Sequence, residues 1–210
     1  MTYNPADHVR ARHAVPQPAA PLRNRRSIRL SGFDYSQDGA YFVTVCTKNR
    51  DCVFGEIEDG NMVLNSYGQI VSNVWRDLPD HYFHVRSDQF VVMPNHKHGI
   101  IMLNRDHVVG IDVGAGLKPA TTAKFHALPE IIRGFKTFSS RRINELRDTP
   151  GTSLWQRNYY EHIIRDDDEL NRIRQYILDN PAQWETTDRE NPNALQKAAT
   201  IKKNFEELGV

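Results

Sequence analysis

The chain lacks any apolar run approaching the roughly 18 residues that a membrane-spanning helix requires. Its opening, MTYNPADHVR, also lacks the apolar stretch of a secretory signal. From these absences we expect a cytoplasmic protein with no membrane partner. Cysteine is scarce: Cys46 and Cys52 are the only two. They offer neither a disulfide framework nor a metal knuckle, so both are expected to be reduced. An excess of one charge is missing as well, since 27 Lys and Arg against 26 Asp and Glu leave a formal net charge of +1. Net charge therefore does not announce a nucleic-acid binder. What remains is a chain of 210 residues, enough for one real core in a single domain with irregular ends.

Residues 1–22 hold Ala, Pro and Arg without periodicity and read as a flexible basic arm. The domain is expected over 23–188, and 189–210 forms a C-terminal tail. YFVTVCT from Tyr41 is rich in β-branched and aromatic residues and predicts a strand. VFGEI and MVLN flank Asp59-Gly60, a dipeptide suited to a tight hairpin turn. Ile70, Val71, Val74, Trp75 and Leu78 recur at helical spacing, predicting a helix from about Ser66 to Leu78. FHVRSDQFVVMPNHKHGIIML gives one or two strands with a break near Pro94. Residues 104–126, with Gly110, Gly114, Gly116 and Pro119, read as a surface loop or insertion. Leu128 to Arg147 returns to helical spacing, with Ile131, Ile132, Phe135, Phe138 and Ile143 inward. LWQRNYYEHIIR reads as a strand, and Asp166 to Asn180 as a helix stopped by Pro181. This alternation favours an α+β fold with a small antiparallel sheet covered by helices.

The basic residues are unevenly spread. Arg10, Arg12, Arg23, Arg25, Arg26 and Arg29 crowd the N-terminus, and Arg133, Lys136, Arg141, Arg142 and Arg147 crowd the later helix. Such runs are most often solvated faces. Read functionally, Arg25, Arg26, Arg29, Arg133, Lys136, Arg141 and Arg142 are candidates for holding DNA phosphates.

His96 and His98 stand two apart in a strand-like segment, so both imidazoles share one face while Lys97 takes the other. That is metal-ligand spacing, though a histidine pair alone is often structural. Tyr176 and Asn180 are four apart, one turn apart on a helix. A phenol is a weak nucleophile at neutral pH, but a divalent cation that polarises a phosphate makes the phosphorus easier to attack. His96, His98 and Asn180 together would suit Mn²⁺ or Mg²⁺, with sites left for phosphate and water. The competing reading has Tyr176 capping the core beside Ile173 and Ile177, and Asn180 merely ending its helix.

VVMPNHKHGIIML resembles the MPNHxH signature of the single-tyrosine HUH transposases. LWQRNYYEHIIR and RQYILDNP resemble the WQ and YIxxNP segments of the REP-associated tyrosine transposases, and RRSIRLSGFDY and YFVTVCTKNR are similar to the start of that family. The likeness runs from about Arg25 to Trp184. It implies a ferredoxin-like antiparallel sheet with helices on one face, an HUH nuclease core, and the tyrosine helix laid across the sheet. It also implies that His96, His98 and Asn180 bind Mg²⁺ or Mn²⁺ and that Tyr176 is the nucleophile. The activity implied is DNA transposition: cleavage and transfer of single-stranded DNA at REP-type palindromic hairpins through a 5′-phosphotyrosine, by a monomer or homodimer. Tyr159 and Tyr160 are rival nucleophiles, expected on opposite faces of a strand. Alternatives are a domesticated hairpin-binding module without cleavage, and a replication-initiator or relaxase nuclease of the wider HUH group. One departure from the family pattern is GAGLKPA, at Gly114–Ala120, which reads either as a translated palindrome or as an ordinary flexible loop.

Overall fold

The computed structural model describes residues 32–105 and 124–187, with side chains as far as Trp184. The arm at 1–22, Arg25, Arg26 and Arg29, most of the expected loop at 104–126 with GAGLKPA, and the tail at 189–210 lie outside the described residues. In chain order the elements are β1 (Gly39–Cys46), β2 (Gly55–Glu58), β3 (Asn61–Leu64), α1 (Ser66–Arg76), α2 (Leu78–His81), β4 (Val85–Met93), β5 (His96–Leu103), α3 (Leu128–Leu146), β6 (Tyr160–Ile164) and α4 (Asp167–Thr187). Four strands form one sheet in the order β4-β5-β1-β6, with every neighbour antiparallel. Apart from the β2–β3 hairpin, strand, helix, two strands, helix and strand in this order make a ferredoxin-like arrangement. The α+β fold is as expected.

β1 is central, and its residues alternate between two buried faces. Tyr41, Val43 and Val45 enter one apolar cluster, and Phe42 enters another. Burial on both faces explains why YFVTVC reads as a continuous apolar run. On the first face, α1 and α3 bring Val71, Trp75, Ile131, Ile132 and Phe135, all 0% exposed. Each such side chain stabilises by roughly 1.5–3 kcal/mol. On the second face, Leu170, Ile173 and Ile177 of α4 pack on Phe42, Ile100 and Ile164. The helices on one face are thus α1 and α3, while the long α4 needs the opposite face to bury its own apolar stripe.

Local chemistry sets the boundaries. Asn65 caps α1, its side chain accepting from the N–H groups of Tyr67 and Gly68 at 2.9 and 3.0 Å. Asp59 and Gly60 take φ of 48° and 74° in the β2–β3 turn, as the dipeptide suggests. At the start of α4, Asp166 Oδ1 accepts from Glu169 N, and Glu169 Oε2 accepts from Arg165 N, a reciprocal cap at 2.8 and 2.6 Å.

Three expectations are corrected. Phe138 is 45% exposed rather than inward. The buried stripe passes instead through Ser139, whose hydroxyl accepts from the Trp155 indole at 3.0 Å. In LWQRNYYEHIIR only Tyr160–Ile164 is strand, because the carbonyls of Gln156, Arg157 and Asn158 turn toward Lys136 Nζ. α4 continues through Pro181 to Thr187. The proline withholds one donor from the Ile177 carbonyl, but Trp184, 9% exposed and 5.8 Å from the His96 ring, gains burial only if the helix goes on.

Both cysteines carry free thiols. Among the described residues no helix is long and apolar enough to cross a membrane.

Candidate active site

The site lies on the α4 face of the sheet, at the end where β5 begins. The β4–β5 turn is held from below by the chain that follows β1. Asn95 O accepts from both the N–H and the hydroxyl of Thr47, each at 2.9 Å, and Pro94 O accepts from Val53 N and Phe54 N. His96 and His98 then enter the ladder opposite Cys46 and Thr44. Both imidazoles are buried, at 4% and 2% exposure.

Each histidine has its Nδ1 engaged. His98 Nδ1 lies 2.7 Å from Thr44 Oγ1, and His96 Nδ1 lies 2.8 Å from Asn95 Oδ1. The two Nε2 atoms face each other at 2.9 Å. An amide oxygen only accepts, so Asn95 fixes the proton of His96 on Nδ1 and leaves a lone pair on Nε2. If the Thr44 hydroxyl accepts likewise, two lone pairs converge, an arrangement that is repulsive unless a positive centre joins them. Donors about 3 Å apart suit two imidazoles on one cation, with metal–nitrogen bonds of about 2.0–2.1 Å. Among the described residues no cluster of three His, Cys, Asp or Glu is present, so any third protein ligand is of another type.

α4 supplies the remaining groups. The Tyr176 ring lies 5.4 Å from His98 and 6.1 Å from Phe42, on which His98 also stacks at 5.3 Å. Asn180 follows one turn later and hydrogen-bonds the Tyr176 phenol, with Trp184 another turn on against His96. Burial pushes the phenol's pKa up. The Asn180 hydrogen bond and the positive charge of Arg50 oppose that rise, and Tyr160 adds to it. The amide can donate its N–H to the phenol while offering Oδ1 to a cation.

The sheet thus brings His96, His98 and Tyr176 together, with Asn180 beside the tyrosine. Tyr160 lies on the same face, 6.4 Å from Phe42, whereas Tyr159 packs on the opposite face. α3 lies on that opposite face, and its basic residues do not form one track. Arg133, Lys136 and Arg141 line a cleft of about 1270 Å³ between α3 and the segment 148–159. Arg142 instead turns to Asp77 at 3.7 Å. Arg141 pairs with Glu145 at 3.0 Å, and Lys136 is occupied by the three carbonyls. Sequence reasoning missed Thr44, Asn95, Phe42, Trp184 and Arg50. Strand alternation in YFVTVC could have placed Phe42 and Thr44 on the face of the histidines, but nothing in the local sequence marks Arg50.

No protein-family model matches the chain. A solved structure of a REP-associated tyrosine transposase bound to a REP hairpin aligns with a TM-score of 0.47 and 18% identity, over 75% of this chain and 73% of that one. An uncharacterized protein of Haemophilus influenzae is 39% identical over 172 residues, which span 79% of this chain and 93% of that protein. A second protein of the same organism, named "Putative REP-associated tyrosine transposase", is 26% identical over 151 residues, 71% of this chain and 74% of that protein. The chain is thus similar both to an uncharacterized protein and, more distantly, to one named as a REP-associated tyrosine transposase. The residue between the two histidines is Lys97, 0% exposed on the opposite sheet face. Its ammonium nitrogen sits against the Trp75 ring, with Phe90 and Phe135 at 5.5 and 5.9 Å. Gly99 makes room for it, since a side chain there would meet Lys97 Nζ and Trp75. Burial drives this amine well below the usual lysine range.

Proposed function

We propose that this protein cleaves and rejoins single-stranded DNA at REP-type palindromic hairpins, with Tyr176 as nucleophile and His96, His98 and Asn180 holding Mg²⁺ or Mn²⁺. The reading is carried by one observation: the two Nε2 atoms converge at 2.9 Å beside the Tyr176 ring, 5.4 Å from His98. With the Thr44 hydroxyl accepting from His98 Nδ1, both Nε2 atoms turn lone pairs toward one point, which a cation would join. Kinship with a relative named for REP association supports the substrate class.

A divalent cation bound there would polarise the scissile phosphate and offset the charge that develops on it. The chain's own residues do the rest. Phe42 and His98 hold the Tyr176 ring edge-on, which restricts the orientations open to the phenol oxygen. Asn180 steadies the phenolate as it forms. In the balanced step, the bond from the Tyr176 oxygen to phosphorus forms and the bond from phosphorus to the 3′ oxygen breaks. The proton lost by the phenol is made up on the departing 3′ hydroxyl. Attack by another 3′ hydroxyl reverses the step and rejoins the strand, so no co-reactant is consumed.

The packing of α4 on the sheet of its own chain supports a reading in which one protomer supplies nucleophile and histidines together, whether the protein acts as a monomer or a homodimer. The test is formation of a covalent protein–DNA adduct on a single-stranded hairpin from the inverted repeats flanking the gene. We expect the adduct with Mg²⁺ or Mn²⁺ and a loss of at least about 100-fold in His96→Ala or His98→Ala. Undiminished cleavage in excess EDTA would remove the metal from the mechanism. Binding of the hairpin without any adduct would favour a module that recognises hairpins and does not cut them.

A further inference from the structure

β6 is an edge strand of the four-stranded sheet, and two adjacent tyrosines lead into it that the cleavage step does not use. Alternation separates them. Tyr159 packs on the cluster beneath α3, and Tyr160 on the cluster beneath α4. In the ladder Tyr160 stands opposite Thr44, and Thr44 stands opposite His98 on its other side. His98, Thr44 and Tyr160 therefore form one row across three strands, on the face of the candidate site. Neighbouring strands lie about 4.8 Å apart, so the His98 and Tyr160 backbones are roughly 10 Å apart. Only a short side chain stands between them, and its hydroxyl is engaged with His98 Nδ1 at 2.7 Å.

The rings of this face converge on Phe42, which is 0% exposed. His98 stacks on it at 5.3 Å, while Tyr160 and Tyr176 meet it edge-on at 6.4 and 6.1 Å, with interplanar angles of 69° and 76°. Two phenols thus stand against one ring, one from β6 and one from α4. Their settings differ. Tyr176 is directed at the histidine pair, 5.4 Å from the His98 ring. Tyr160 begins an edge strand and is only half-buried, which leaves it open to an incoming strand of DNA. A phenol keeps its proton at neutral pH, and burial pushes the Tyr160 pKa further up. In that form it is a hydrogen-bond donor.

We propose that Tyr160 is a second phenol of the active site, its hydroxyl donating a hydrogen bond to a non-bridging oxygen of the phosphodiester that Tyr176 attacks. A donor held where negative charge gathers stabilises the transfer without entering the bond exchange. Tyr160 gives up no proton; the bonds made and broken are those of the Tyr176 step. The two elements divide the work, α4 bringing the phenol that attacks and β6 the phenol that holds the target. The inference rests on the proposed cleavage reaction for the identity of its phosphate.

The experiment measures adduct formation by Tyr160→Phe on the single-stranded hairpin from the inverted repeats flanking the gene, with Tyr159→Phe as the control from the opposite face. Both variants keep the ring and lose only a hydroxyl. We expect Tyr160→Phe to slow adduct formation about 30-fold with hairpin binding within about twofold, and Tyr159→Phe to stay within about threefold of the parent. The deciding measurement replaces each non-bridging oxygen of the scissile phosphate in turn by sulfur, a poorer acceptor. The diastereomer whose sulfur meets Tyr160 should be slow in the parent, and that penalty should shrink severalfold in Tyr160→Phe while the other diastereomer keeps its own. A slower Tyr160→Phe with both sulfur penalties unchanged shows a packing role and overturns the proposal. An unchanged rate, or a loss traced to hairpin binding, overturns it too. So does an adduct that peptide mass spectrometry maps to Tyr160, which makes that phenol the nucleophile. In the first three of these outcomes the parent still forms its adduct at Tyr176, so the cleavage reading survives them. If the parent forms no adduct, the cleavage reading falls and the role of Tyr160 falls with it.

Discussion

The two faces of β5 present consecutive residues to opposite environments. His96 and His98 face α4, where every ring nitrogen has a polar neighbour. Lys97 faces α1 and α3, where its amine has aromatic rings around it and no hydrogen-bond acceptor. The faces also differ in how their helices are attached. α1 and α3 are fixed by a broad apolar cluster running from Tyr41 to Trp155. α4 rests on a small one, centred on Phe42, Ile100 and Ile173. Polar clamps make up the difference. His162 Nε2 meets Glu169 at 2.6 Å near the start of α4, and Arg174 bonds both oxygens of Asp88 on β4, at 2.9 and 2.5 Å. One face is a core that tolerates a misplaced polar group. The other is a site whose polar groups hold its geometry.

Removing the proposed nucleophile should therefore produce the largest effect with the least structural change. Tyr176→Phe keeps the ring packed on Phe42 and His98 and deletes only the hydroxyl. We expect adduct formation on the hairpin to fall by more than about 1000-fold. Stability should change by less than about 1 kcal/mol. Denaturing gels read the first and urea denaturation the second. An adduct that survives here but disappears in Tyr160→Phe would move the chemistry to β6, since Tyr160 shares the face.

The opposite face should respond in the opposite sense. Lys97→Met keeps the length of the side chain, removes an amine whose Nζ has no acceptor, and leaves a flexible group to pack on Trp75 and Phe90. Stability should rise by on the order of 1–3 kcal/mol, with adduct formation within about threefold of the parent. Destabilisation would show that the contact with Trp75 outweighs desolvation. A large loss of cleavage would show that the two faces are coupled through the strand.

Legibility in the sequence followed the same division. Strand alternation was enough to send His96 and His98 one way and Lys97 the other, and helical spacing put Tyr176 and Asn180 on one face of α4. Those patterns depend on backbone geometry alone. Phe138 failed because its position competes with Ser139 for the buried stripe, and the choice is decided by the Trp155 indole, 16 residues away. Pro181 failed because Trp184 finds burial against a histidine from a distant strand. Arg50 left no trace, since a left-handed arginine is imposed by contacts to Asn95 and Leu154 that no local window contains. The N-terminal arginines, Arg25, Arg26 and Arg29, lie outside the described residues.

The smallest effect sharpens the account of how α4 is held. The hydrogen bonds from Arg174 pull the Asp88 carboxyl below its ordinary pKa, assisted by the Gln89 N–H and opposed by partial burial. A carboxylate depressed in the folded state contributes stability above its unfolded pKa of about 3.9, and that contribution is lost as pH falls through the lower folded value. The pair is partly solvated, with side chains 38% and 18% exposed, so screening keeps its worth to about 1 kcal/mol. Asp88→Asn should therefore lower stability by about that amount at pH 7, and the gap should close as the buffer is taken from pH 5 toward pH 3. Urea denaturation followed by circular dichroism at a series of pH values measures it. If α4 depends on this clamp for register, adduct formation should fall severalfold at pH 7 while hairpin binding holds. An unchanged rate would leave the placement of Tyr176 to Phe42 and the apolar cluster beneath it, and the polar edge would then contribute stability alone.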